Sequence, residues 1–309
     1  MKRLSALVIC PGRGTYNRQE LGYLAKNHHQ QQSMLLGFDK CRIALGQPSL
    51  TQLDSATTYS TNRLTRGDNA SSLIYACAYA DFLSINHDKF DIVGVAGNSM
   101  GWYIALACAG VLEANHGFKV VNTMGTLMQE ALIGGQLLYP YVDENWIEIP
   151  RKRNELMALT DRISGLYLSI NLGGMIVFAG TEKALKTCEQ GLEPIQGKFP
   201  IRLHNHAAFH SPLQQPISVI AKEQLHPPLF QQPKLPLIDG RGHVWLPKAS
   251  DQADLWDYTL GHQVVAPFDF HATVRSALRE FAPDNIIVLG PGQSLGGAIA
   301  QCLIAENWQ

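Results

Sequence analysis

The chain lacks the features that would assign it a class at once. Neither sign of charge dominates, with 25 Lys and Arg against 26 Asp and Glu in 309 residues. A net charge of −1 provides no basic field for nucleic acid and no acidic or basic tail, so nucleic acid is not an expected partner. No run of ~18 apolar residues exists, so the sequence predicts no membrane span. There is no internal repeat, and no low-complexity segment beyond the short glutamine run at 30–32. The six cysteines (Cys10, Cys41, Cys77, Cys108, Cys188 and Cys302) never fall in a C-x-x-C spacing. Most lie in apolar runs. They read as buried thiols of a reducing compartment, the cytoplasm, rather than as a disulfide framework.

What remains is an ordinary globular composition, 46% hydrophobic. The length suits one large α/β domain, or a domain carrying an insertion. The start, MKRLSALVIC, is similar to a lipoprotein signal. Its apolar core, however, is shorter than the usual ~7–15 residues. The P-G-R-G-T that follows reads as the loop ending a strand, so an intact first strand is expected.

The most informative stretch is Asp91–Leu112, DIVGVAGNSMGWYIALACAGVL. A valine-rich run leads into G-N-S-M-G, and a small-residue apolar helix follows. This is strand, sharp turn, helix, with Ser99 at the apex. Gly97 and Gly101 flank the serine and let strand and helix approach without Cβ clashes. The turn lifts the hydroxyl clear of the sheet edge and sets it at a helix N-terminus, which favours developing negative charge. A serine attacking a carbonyl needs both features. A second match, G-Q-S-L-G around Ser294, also follows a strand-like run, Asn285–Leu289. Each match could equally be a glycine-rich turn packing a helix on a sheet.

Along the chain, Leu4–Cys10 is almost wholly apolar and predicts a parallel strand buried on both faces. A polar helical region covers Gln19–Leu36. Residues at helical spacing predict a helix over Thr65–Ser84, with others at Val120–Leu132 and Phe268–Glu280. Tyr139–Asn154, with its prolines, acids and R-K-R, reads as a solvated connection. Gly165–Gly180 predicts two strands joined at Gly173–Gly174. A helix over Thr181–Gly191 is capped by Thr181, and a strand near Ile201–Leu203 follows. Together these form a small α+β unit inserted in the larger sheet. Weak strands at Pro236–Ile238 and Val244–Leu246, a helix at Ala253–Leu260, and a closing helix at Gly296–Glu306 complete the pattern.

A serine nucleophile needs a base. Three histidines cluster in L-H-N-H-A-A-F-H-S-P: His204, His206 and His210. H-x-H-x₃-H could hold a metal, yet no Cys or acidic cluster joins it and the segment reads as a strand end running into a loop. No metal is expected. A single base is the better reading, and His210 is the best placed.

These islands resemble the malonyl-CoA:acyl-carrier-protein transacylase family over nearly the whole chain. P-G-R-G-T is similar to its first-strand loop, usually P-G-Q-G-S. G-N-S-M-G is similar to its nucleophile elbow, usually G-H-S-x-G. A-F-H-S-P-L at Ala208–Leu213 resembles the segment carrying its base. N-L-G-G-M-I-V-F-A-G at Asn171–Gly180 resembles its N-x-x-x-Q-x-V-I-A-G. Gln263 precedes A-P-F-D-F where a family glutamine precedes S-P-V-x-W. L-G-P-G-Q-S-L at Leu289–Leu295 resembles its C-terminal G-P-G-x-x-L. Six islands in order are far more specific than one.

The resemblance implies an α/β hydrolase-like core with a parallel sheet, covering 1–133 and 205–309. Into it is inserted a ferredoxin-like α+β subdomain, 134–204. It implies a serine acyltransferase with Ser99 as nucleophile and Ser294 as a structural residue. His210 is the implied base, oriented from the Gln263 neighbourhood without an aspartate. The oxyanion would be held by the backbone N–H groups of Met100 and Arg13. An acyl-CoA or phosphopantetheine thioester is the implied substrate and an acyl carrier protein the implied partner, with no permanently bound cofactor. The same acyl-enzyme could release its acyl group to water, and a non-catalytic partner protein could keep the fold.

Four departures from the family pattern stand out. Arg13 replaces a glutamine, Asn98 a histidine, Trp102 a glutamate, and Met124 the arginine that grips the malonyl carboxylate. Met124, Asn98 and Trp102 are expected beside the acyl pocket. The loss of the arginine predicts an uncharged acyl group, unless Arg13 supplies the cation from the other side.

Overall fold

A computed structural model describes residues 3–308. The wholly apolar stretch Ala6–Cys10 lies in the first strand, β1 (Leu4–Cys10), and each of its five side chains is fully buried. It runs parallel to both neighbours, β2 (Phe90–Gly97) and the late strand at Asn285–Val288. Val8 stands opposite Val95 on one side and Ile287 on the other. That double burial explains why the strand shows no alternation of polar residues. Two short strands, Leu237–Ile238 and Val244–Trp245, extend the far edge, and the last of them is antiparallel. Helices at Gly67–Leu83, Gly101–Cys108 and Ala114–Ala131 pack with one another beside this sheet. Phe38, Tyr75 and Phe118 form an aromatic cluster in the same core.

The second layer system is a five-stranded sheet. Its chain path is strand Gly135–Pro140, helix Lys152–Arg162, strands Leu166–Leu172 and Met175–Gly180, helix Glu182–Gly191, then strand Ile201–Arg202. In sheet order these four strands run fourth, first, third, second, all antiparallel. This β-α-β-β-α-β arrangement is the ferredoxin-like pattern. It has its own core, with Leu137, Tyr139, Phe178 and Leu185 fully buried. The four strands lie within 134–204, but the sheet does not end there. Phe268–Asp269, from the chain after the insertion, pairs in parallel with Leu166–Leu172 and makes the fifth strand.

The stretch expected to be a solvated connection, Tyr139–Asn154, differs from that expectation. It contains the end of a strand, a bridge between Val142 and Glu148, and the start of a helix. Tyr139 and Tyr141 are buried there, and their hydroxyls donate to Glu193 O at 2.8 Å and Gly173 O at 2.7 Å. Aromatic bodies with a polar tip can be buried when the tip finds an acceptor, and a polar-looking composition hides this. Three features fall where the sequence predicts them. They are the hairpin at Gly173–Gly174, the Thr181 cap, whose Oγ1 accepts from Ala184 N at 3.2 Å, and the closing helix.

Candidate active site

Ser99 stands at the end of β2, where the chain turns into the helix Gly101–Cys108. Its φ is +56°, in the left-handed region that a residue with a Cβ adopts only under constraint. The constraint is the close approach of strand and helix. A Cβ on Gly97 would sit 2.2 Å from the Gly101 carbonyl, and one on Gly101 would sit 2.4 Å from Cys10 O. Only glycine fits at either place. Gly101 N donates to Asn98 O at 2.8 Å and Trp102 N to Ser99 O at 3.0 Å, which closes the turn.

The turn aims the Ser99 hydroxyl at His210. Oγ lies 2.7 Å from His210 Nε2, and His210 Nδ1 lies 2.7 Å from the Gln263 carbonyl oxygen. A carbonyl only accepts, so Nδ1 carries the proton and Nε2 presents its lone pair to the serine. The histidine is 4% exposed, and this burial pulls its pKa down to about 4 despite the Gln263 carbonyl, which favours the charged form. At neutral pH it is therefore the uncharged, proton-accepting form. The Gln263 side chain is held at both of its polar atoms. Its Nε2 donates to Ser99 O at 3.1 Å and its Oε1 accepts from Tyr103 Oη at 2.9 Å, so the carbonyl under His210 is fixed relative to the elbow.

The loop carrying His210 is braced from the inserted subdomain. Ser169 Oγ donates to Phe209 O at 2.7 Å and accepts from Gln136 Nε2 at 2.7 Å. His206 Nδ1 lies 2.7 Å from Gln136 Oε1 and donates to it. Burial, with the Arg13 cation second, pushes the His206 pKa well below the usual histidine range. His206 thus stands in a neutral hydrogen-bond chain, and His204 is exposed. Among the described residues no group of three or more His, Cys, Asp and Glu is placed to hold a metal ion.

The backbone N–H groups of Met100 and Arg13 donate to no protein acceptor among the described residues. Met100 follows Ser99 at the helix N-terminus, and the loop of Arg13 approaches the same turn. A Cβ on Gly12 would sit 2.8 Å from Asn98 O. Two free donors of this kind beside a serine hydroxyl can stabilise a tetrahedral oxyanion.

A small cavity opens from Ser99, lined by Met124, Val121, Met128, Phe209 and the Arg13 side chain. Its volume is about 30 Å³. Arg13 is half-buried there, and burial lowers its pKa to about 10 while Asp68 holds it up, so it remains charged at neutral pH. A wider cleft of about 290 Å³ leaves Ser99 on the other side, between the two sheets, walled by Leu138, Ile170, Leu172 and Val177.

Seven of the eight expected site residues meet around these two spaces. Asn98 lines the wide cleft, not the Met124 cavity. The eighth, Trp102, is a correction. It is fully buried on the far side of its helix, donates from Nε1 to Thr259 Oγ1 at 3.0 Å, and packs edge-on against Tyr258. Met100 and Tyr103, three residues apart, share the cavity face, whereas Trp102 is rotated about 100° from Tyr103. Ser294 is exposed and has no histidine partner among the described residues.

No protein-family model matches the chain. Curated relatives do. It is 25% identical over 222 residues to the malonyl CoA-acyl carrier protein transacylase of Bacillus subtilis strain 168, covering 69% of this chain and 67% of the relative. It is 29% identical over 210 residues to the transacylase of Haemophilus influenzae, covering 66% of this chain and 63% of the relative. It is 25% identical over 295 residues to a phenolphthiocerol/phthiocerol polyketide synthase chain of Mycobacterium tuberculosis, matching 94% of this chain but 18% of that much longer one. Among solved structures, the malonyl-CoA:acyl carrier protein transacylase of Helicobacter pylori superposes with a TM-score of 0.80 at 19% identity, over 97% of this chain and 92% of that one. A type II polyketide malonyl-transacylase, solved with its acyl-carrier protein, gives 0.77 at 20% identity, over 97% and 93%. At those identities the structural likeness establishes the fold, and the curated sequences add a likeness in sequence to named transacylases.

The chain resembles the malonyl CoA-acyl carrier protein transacylases, in sequence over about two thirds of its length and in fold over nearly all of it. Met124 lies in the helix Ala114–Ala131 and lines the cavity. Met124 is uncharged, and Arg13 brings a charged side chain to the same cavity. Sequence reasoning did not find Tyr103, which holds Gln263, or Phe209, which lies under the Arg13 guanidinium with its ring centroid 5.5 Å from Cζ. The adjacency of Phe209 to His210 was the one available signal.

Proposed function

We propose that the chain is a serine acyltransferase, moving an acyl group from a CoA or carrier-protein thioester through acyl-Ser99 to a carrier-protein phosphopantetheine thiol. The observation that carries this reading is the pair of 2.7 Å contacts, Ser99 Oγ to His210 Nε2 and His210 Nδ1 to the Gln263 carbonyl.

The steps follow from those contacts. His210 Nε2 takes the Ser99 proton as Oγ bonds to the thioester carbonyl carbon. The carbonyl π pair moves to oxygen, and the resulting anion meets the N–H groups of Met100 and Arg13. The anion then collapses, the carbon–sulfur bond breaks, and the departing thiolate takes the proton from His210. In the second half a phosphopantetheine thiol gives its proton to His210 and attacks acyl-Ser99. The tetrahedral species collapses again, and Ser99 leaves with the proton. A base that is neutral at rest and held by one carbonyl can accept and return that proton without an aspartate. The cleft of about 290 Å³ between the sheets, which opens onto Ser99, is the space left for a pantetheine arm.

The test loads the protein with an acyl group from acyl-CoA, removes excess donor, and adds holo-carrier protein or free pantetheine. The expected result is loss of the acyl mass from the protein with equal gain on the thiol. Release as free acid, at a rate unchanged by added thiol, would make it a hydrolase instead.

A further inference from the structure

A further cavity, of about 330 Å³, shares no lining residue with either of the two spaces at Ser99. That volume falls at the lower end of small-molecule pockets. Three helices wall it. Tyr23–Asn27 gives Leu24, Gln32–Ala44 gives Leu35 and Leu36, and Leu50–Asp54 gives Leu50. Among the described residues no lysine or arginine lines it. Its one carboxylate, Asp54, already accepts from Tyr16 Oη at 2.6 Å and from the N–H groups of Leu24 and Ala25 at 3.1 and 3.2 Å.

One polar atom of the wall is left over. His28 lines the cavity and is 4% exposed. Its Nε2 lies 2.8 Å from Asp81 Oδ1. An ionised carboxylate only accepts, so Nε2 carries a proton, and Nδ1 of the neutral ring offers a lone pair. That Nδ1 is buried and has no hydrogen-bond partner. A buried acceptor left unmade costs free energy, and a folded protein carries few of them. A ligand that brings an O–H or N–H group to Nδ1 removes the cost. Asp81 carries the contact onward, because its Oδ2 accepts from Gly290 N at 2.6 Å. Gly290 opens the loop whose Ser294 and Leu295 wall the wide cleft that leads to Ser99. Hydrogen bonds in such a chain polarise one another, so a donor on Nδ1 is felt at the Gly290 amide.

We propose that this cavity is a ligand site separate from the one at Ser99, taking a small neutral amphiphile. The apolar body lies against the four leucines, and a hydroxyl or N–H group donates to His28 Nδ1. An anion is disfavoured, because the wall offers a carboxylate and no cation to offset its desolvation. The site is independent of whether Ser99 is acylated.

The test titrates hexan-1-ol and hexanoate separately into the full chain, labelled with ¹⁵N in its backbone amides and histidine rings, and follows both by NMR. Hexan-1-ol is expected to bind saturably, to move the His28 Nδ1 signal upfield and to shift the Gly290 amide. Hexanoate is expected to bind at least tenfold more weakly. Leu36 is 58% exposed, so Leu36→Trp is expected to keep the wild-type fold while filling the cavity and lowering the affinity for hexan-1-ol at least tenfold. An unmoved His28 ring signal, shifts confined to the walls of the space at Ser99 such as Met124 and Phe209, hexanoate binding as tightly as the alcohol, or an unchanged affinity in Leu36→Trp each overturns the proposal. A response at His28 with none at Gly290 overturns the link to the cleft.

Discussion

At the scale of single residues, the site depends on keeping one histidine neutral and aimed. His210 has its own positive φ of +55°, its Nδ1 proton on a carbonyl, and a buried ring. Burial disfavours the imidazolium, so the pKa falls to about 4. The sign of the pH dependence follows. The base form is competent above its pKa, so the rate of Ser99 acylation should stay level from about pH 7 to about pH 5. It should then drop roughly tenfold per unit below about pH 4. A histidine in water would instead lose half its activity near its ordinary pKa of ~6.5. Stopped-flow acylation across this range checks it, and a midpoint near that ordinary value would mean that the ring is solvated in the working enzyme. His210 was legible in the sequence because, of the three clustered histidines, it is the one that directly precedes Ser211–Pro212. Arg13 was only half legible. Its position in the P-G-R-G-T loop was plain, but its meeting with Met124 joins two distant stretches of chain, and no local pattern encodes that.

At the scale of elements, the two G-x-S-x-G motifs show what a sequence pattern cannot separate and packing does. Around Ser99 the second glycine of the motif touches backbone: a Cβ on Gly101 would lie 2.4 Å from Cys10 O and 2.9 Å from Pro11 O. Around Ser294 the corresponding Gly296 has nothing within 4 Å of a Cβ. Gly101→Ala should therefore push the helix off the end of β1 and cost about 1–3 kcal/mol of stability, as overpacking does. It should also reduce acylation, because the strand end leads into the loop bearing Arg13. Gly296→Ala should fold with stability near the wild type. Urea midpoints of the two variants check this, and similar values for both would show that the elbow is not packed as described. The regular elements were readable where punctuation was strong, as at Gly173–Gly174 and Thr181. They were lost where a buried tyrosine lay among charged neighbours, as at Tyr139–Tyr141. Trp102 was misjudged for a related reason: nearness in sequence to Ser99 says nothing about which side of a helix a residue faces.

At the scale of the whole molecule, Ser99 and His210 come from one layer system, and the brace on the His210 loop comes from the other. Ser169 of the inserted subdomain holds the Phe209 carbonyl, and Asn171 Nδ2 donates to Asp269 Oδ1 at 3.0 Å across the same seam. The strand at Phe268–Asp269 completes the inserted sheet and caps the next helix, so the two systems are joined at more than the chain crossings. The cleft that leads to Ser99 lies between them, and the sequence could not show it because its walls come from separate stretches of chain. Among the described residues no helix is long and apolar enough to cross a membrane. The central claim is that all of this serves one hydroxyl. The most direct measurement incubates the protein with a panel of acyl-CoAs, digests it, and maps the added acyl mass by peptide mass spectrometry. The account predicts one acyl group on the peptide containing Ser99, absent in Ser99→Ala and retained on Ser99 in Ser294→Ala. An acyl group that persists in Ser99→Ala, or that maps to Ser294, would contradict it.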